Sequence, residues 1–148
     1  MTEKTSAEWG KVEKLDIIPP YTLVEEKAKV FNENFPKGQM RCTIKKDLNI
    51  VESDPFDVFV TSEEPQIVGK DTTIRLFIEV PSLNNYKIQI LKVVCKISEL
   101  YPCVIENTVS NNTYKCDTMD DFKAKLDEIL VSPSISRTLS ILRTQVLD

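Results

Sequence analysis

Few side chains in this 148-residue sequence have obvious chemistry, and the four cysteines, Cys42, Cys95, Cys103 and Cys116, come first among them. Four thiolates are enough for a structural zinc site. Such sites take their ligands in close pairs, however, and the gaps here are 53, 8 and 13 residues. The sequence therefore predicts no metal site. Apolar or strand-like neighbours flank each cysteine, as expected for reduced thiols buried as small hydrophobes. Cys103 follows Pro102 at a break between strands and is the best placed of the four to react, although a packed strand end is the plainer reading.

The chain contains no histidine. That removes Ser-His-Asp and Cys-His catalysis, His-ligated zinc and the commonest general base near neutral pH. With only Gly10, Gly38 and Gly69, neither a P-loop nor a dinucleotide fingerprint can be written. Catalysis would have to rest on carboxylates, lysines or a lone thiol. No catalytic residue, cofactor or metal ligand is assigned.

Two groups of charges stand out. Residues 51–66 hold five acids and no base, and Asp54, Asp57, Glu63 and Glu64 bracket a short apolar run. Without the spacing or glycine of a calcium loop, this stretch reads as a solvated acidic edge that discourages edge-to-edge sheet pairing. Lys37, Arg41, Lys45 and Lys46 form the basic cluster, with Arg41 and Lys45 on one face of a strand. They read as a solvent face, with phosphate or nucleic acid as the alternative contact. Either Tyr86 or Tyr101 offers an aromatic platform for a small ligand. A net charge of −4 argues against nucleic acid or an anionic membrane as partner.

These residues are positioned by a predicted hairpin at residues 72–106. Ile74, Leu76, Ile78 and Val80 alternate with Thr73, Arg75 and Glu79, leaving Phe77 as the one apolar residue on the other face. Pro81, Ser82, Asn84 and Asn85 make a turn. The following run is rich in β-branched residues and reads as a strand despite a partial helical stripe. Its alternation slips by one residue near Ile90, which either a β-bulge or burial on both faces would explain. Pro19-Pro20 opens a helix over 21–34 with Leu23, Val24, Ala28, Phe31 and Phe35 inward and Glu25 and Glu26 near its start. Residues 39–46 alternate as a strand, and Phe56, Val58 and Val60 suggest another. After Tyr101-Pro102 come a short strand, a loop at 106–112 and a last edge strand at 113–116. Two helices end the chain, capped at Thr118 and at Ser132-Pro133.

The expected fold is α+β: a mainly antiparallel sheet of four or five strands with one N-terminal and two C-terminal helices. Residues 1–18 are read as a loose arm and 19–148 as a single domain. No apolar run is long enough to span a bilayer and the N-terminus lacks a signal-peptide pattern, so a cytoplasmic location is expected.

Pro-Tyr-Thr-Leu-Val-Glu-Glu-Lys-Ala at 20–28 and Leu83-Asn-Asn-Tyr-Lys, with Leu91-Lys-Val and Leu100-Tyr-Pro-Cys-Val, resemble a group of small uncharacterised bacterial proteins. The similarity extends through Phe122, Leu126, Ile129-Leu130 and Ser132. It implies the same fold, a bacterial cytoplasmic origin and no assigned activity. By subtraction, the expected function is non-enzymatic: an accessory, immunity-type or inhibitor protein that binds another protein, with a homodimer as an open alternative. A small-molecule or nucleotide-binding module ranks second. An enzyme using carboxylates or Cys103 ranks third.

Overall fold

Alternation of apolar residues dictates a sheet with one buried face. A computed structural model, described for residues 9–35, 39–49 and 70–146, contains that sheet. The order is α1 (Pro20–Asn34), β1 (Arg41–Asn49), β2 (Asp71–Val80), β3 (Tyr86–Lys96), β4 (Cys103–Asn107), β5 (Asn112–Cys116), α2 (Met119–Leu130) and α3 (Pro133–Gln145). All five strands are antiparallel, and spatial order follows chain order from β1 to β5. The strand suggested by Phe56, Val58 and Val60 lies outside the described residues.

β2 is the second strand and β3 the centre of the sheet. Ile74, Leu76, Ile78 and Val80 are buried on one face of β2, and α1 packs against the same face through Leu23, Val24 and Ala28. Phe31 and Phe35 are partly buried and stack with ring centroids 4.4 Å apart. Glu25, Glu26, Lys29 and Glu33 point to solvent, as the helical stripe requires. Phe122, Leu126 and Ile129 of α2 and Ile135 and Leu142 of α3 complete this core, so the described helices cover one face of the sheet.

The slip near Ile90 is a bulge. Leu76 pairs with Leu91 but Phe77 pairs with Gln89, so Ile90 is the extra residue of β3. The bulge lets both Ile90 and Leu91 be buried without reversing the strand's faces. Asn84 and Asn85 turn the hairpin with φ of 60° and 58°, a region asparagine tolerates better than most residues. Leu100 also has φ of 66°, which a leucine adopts only against a steric cost.

Two expectations about helix ends are refined. Thr118 Oγ1 accepts from the Asp121 N–H at 3.1 Å and caps α2 as the sequence suggests. Ser132 takes the equivalent place before α3, but its side chain does not cap the helix. Its hydroxyl lies 3.3 Å from Ser134 Oγ and 3.4 Å from Asn107 Nδ2 instead. Glu25 and Glu26 fall beyond the first turn of α1, which contains no acid, so they gain little from the helix dipole.

Candidate functional site

The residues singled out from sequence do not converge. Arg41 lies on the sheet face opposite the helices, directly across from Glu79, and forms an ion pair with it. Lys45 is exposed on that face opposite Arg75, whose guanidinium donates to Asp47 at 2.9 Å. Lys46 points the other way, with its ammonium 4.7 Å from the centre of the Tyr21 ring. The basic cluster is thus divided between two faces, because successive strand residues alternate. Lys37 lies outside the described residues.

Tyr86 and Tyr101 occupy opposite ends of the sheet. Tyr86 begins β3, whereas Tyr101 leads into Cys103, which pairs with Cys95 nine residues along that strand. At about 3.3 Å per residue the two positions are separated by roughly 30 Å along the strand, so either tyrosine would act as a platform alone. Tyr86 is 46% exposed. It borders an open cavity of about 380 Å³ with Leu83, Ile88, Ile141 and Leu142, where Thr138 and Gln145 supply polar groups. Tyr101 is half-buried, and its hydroxyl donates to the Ile18 carbonyl at 2.7 Å. Burial, and then the thiols of Cys103, Cys95 and Cys116, push its phenol above the ordinary range.

Cys103 is the opposite of an activated nucleophile. It is 2% exposed, and burial, followed by proximity to Cys116 and Cys95, pushes its thiol up to about 12. All four cysteines are free and buried, as expected of small core hydrophobes. Their arrangement was not legible as a motif. Cys95 pairs with Cys103, and Cys103 with Cys116, so three thiols form a row across β3, β4 and β5. Gaps of 8 and 13 residues disclose this only once both turns and registers are known. Among the described residues, no group of three or more His, Cys, Asp or Glu side chains is placed to hold a metal ion, and no helix is long and apolar enough to cross a membrane.

Among the described residues, four exposed apolar side chains lie close together before α1. Trp9, Val12, Leu15 and Ile17 are 71%, 89%, 65% and 44% exposed. Their charged neighbours, Lys11, Glu13, Lys14 and Asp16, are exposed too. The segment is nevertheless rooted: Ile18 donates its N–H to Met119 Sδ at 3.3 Å and accepts from Tyr101. Their irregular mixture of apolar and charged residues has no helical or strand period, which is why the sequence leads one to expect a loose arm over residues 1–18. No family model, curated protein or solved structure matches the chain.

Proposed function

We propose that this chain is a non-enzymatic protein-interaction module and that the arm of residues 9–17 is its contact segment. The supporting observation is the run of four exposed apolar side chains, Trp9, Val12, Leu15 and Ile17, within nine residues. Single exposed hydrophobes are normal on a surface, but a concentrated set including the chain's one tryptophan is characteristic of interaction sites. The arm's root at Ile18 fixes where the segment leaves the domain while leaving these side chains uncovered. The complementary partner is a protein with an apolar groove rimmed by charges of both signs. Lys11, Glu13, Lys14 and Asp16 would meet that rim.

The test compares the full chain with a variant carrying Trp9→Ser, Val12→Ser and Leu15→Ser. A protein captured from host extract by the native chain should be lost from the variant, with the thermal unfolding midpoint unchanged. Equal capture by both chains would exclude the arm as the contact. A second reading, an amphipathic small molecule held beside Tyr86, is favoured by the open cavity of about 380 Å³. Its signature is a ligand-induced rise in the unfolding midpoint that Tyr86→Ala abolishes and the arm variant retains.

A further inference from the structure

The row of three thiols contains one pair whose backbone geometry suits a covalent bond. Thr108 N–H donates to the Ile90 carbonyl at 3.2 Å, which makes Ile90 and Thr108 a hydrogen-bonded pair of the antiparallel ladder. Hydrogen-bonded and non-hydrogen-bonded pairs alternate along such a ladder. The register runs without interruption from Leu91 opposite Asn107 to Cys95 opposite Cys103, so the cysteine pair is non-hydrogen-bonded. The other side of β3 agrees: Ile97 N–H donates to the Lys70 carbonyl at 3.1 Å, which directs the backbone groups of Cys95 toward β2. Cys103 then directs its backbone groups toward β5, making Cys103 and Cys116 the wider, hydrogen-bonded pair.

This difference selects between the two pairs. Opposed α-carbons lie about 4.5 Å apart at non-hydrogen-bonded positions and about 5.5 Å apart at hydrogen-bonded ones. Side chains are also closer at the former, where β-carbons come nearest the roughly 3.5–4.5 Å that a disulfide needs. Both thiols of the closer pair are free and point to the same face. The two thiols lie on the helix-covered face of the sheet, whereas Val94, Lys96, Val104 and Lys115, one residue out of phase, line a cavity of about 240 Å³ on the other face.

We propose that Cys95 and Cys103 form a redox-modification site, a dithiol that a small-molecule disulfide such as glutathione disulfide converts to a cross-strand bond. One thiolate attacks the disulfide, forming a mixed disulfide and releasing one glutathione thiolate. The second cysteine thiolate then attacks the cysteine sulfur of that intermediate and releases the other. Two protons and two electrons leave the protein, one S–S bond forms as one breaks, and glutathione disulfide becomes two glutathione molecules. Burial keeps both thiols protonated in the folded chain, so exchange in the intact sheet is slow and is fastest while β4 is open. The bond closes the turn between β3 and β4 and leaves Cys42 and Cys116 as thiols.

The test is refolding of the full native chain in a glutathione redox buffer, followed by alkylation and peptide mapping. Cleavage after Lys92, Lys96 and Lys115 places Cys95, Cys103 and Cys116 on three separate peptides. The intact chain should lose about 2 Da, the Cys95 and Cys103 peptides should be joined, and Cys42 and Cys116 should be alkylated. The oxidised chain should unfold at a higher temperature than the reduced chain. Four free thiols at equilibrium in excess glutathione disulfide, a dominant Cys103–Cys116 link, or a lower unfolding temperature for the Cys95–Cys103 form would each overturn the proposal.

Discussion

Asn32 does at one position what a sixth strand would do. β1 is an edge of the sheet, and the backbone of Cys42 faces away from β2 toward α1. The Asn32 amide donates to the Cys42 carbonyl at 2.9 Å and accepts from the Cys42 N–H at 2.7 Å. A buried backbone pair is thereby satisfied and the edge is blunted against pairing with another chain. Asn32→Ala should cost about 1–3 kcal/mol of stability, measured from urea unfolding, because two backbone groups lose their partner. Asn32→Asp should lose the donated bond and retain no donor to replace it. In sequence, Asn32 is one polar residue on the outer side of a helix. Its role depends on a helix–strand crossing that local periodicity does not encode. Asn107 is hidden for the same reason: it is only 4% exposed, its Oδ1 accepts from the Val109 and Ser110 N–H groups, and its Nδ2 donates to Ser134 Oγ.

At the scale of elements, the hairpin and α1 were legible because burial on one face leaves a period in the sequence. Ile74, Leu76 and Ile78 keep a period of two, and Leu23, Val24 and Ala28 keep the helical one. The bulge was legible too, since an added strand residue must shift that period at Ile90. Register was not, because alternation says which face a residue occupies and not which residue it meets. The thiol row and the Arg41–Glu79 pair both follow from register.

Arm and helix also separate in their predicted effects. Deleting residues 1–16 should leave the thermal midpoint nearly unchanged, because Trp9, Val12 and Leu15 contribute little to the core. Deleting residues 1–35 uncovers the core face of β1 and β2 and removes the Asn32 bonds. That chain should lose its cooperative unfolding transition, read by circular dichroism. A cooperative transition surviving the longer deletion would place α1 outside the folding unit.

For the molecule as a whole, one core joins the described five-stranded sheet to helices α1, α2 and α3, and its buried thiols make stability sensitive to alkaline pH. Burial pushes the thiols of Cys42 and Cys103 up to about 12 from an ordinary 9.0. Below pH 9 both the folded and the unfolded chain keep these protons. Between pH 9 and about 12 the unfolded chain releases them first, so it binds fewer protons and stability falls as pH rises. Each thiol contributes a slope of at most about 1.4 kcal/mol per pH unit in that window. Urea midpoints should therefore fall between pH 9 and pH 11, and Cys42→Ala should make the decline shallower. A flat profile would mean that these thiols ionise as readily in the fold as outside it.

The molecule's division into a closed core and an uncovered arm can be read from its single tryptophan. Trp9 fluorescence in the full-length chain alone, followed with acrylamide at high and low protein concentration, reports whether the arm is free to engage a partner. A red-shifted emission maximum, open access to the quencher and no dependence on concentration are expected. A blue-shifted, protected Trp9 at low concentration would show the arm packed on its own domain, and protection that appears only at high concentration would show it taken up by a second copy. Either result would contradict an arm held available for another protein.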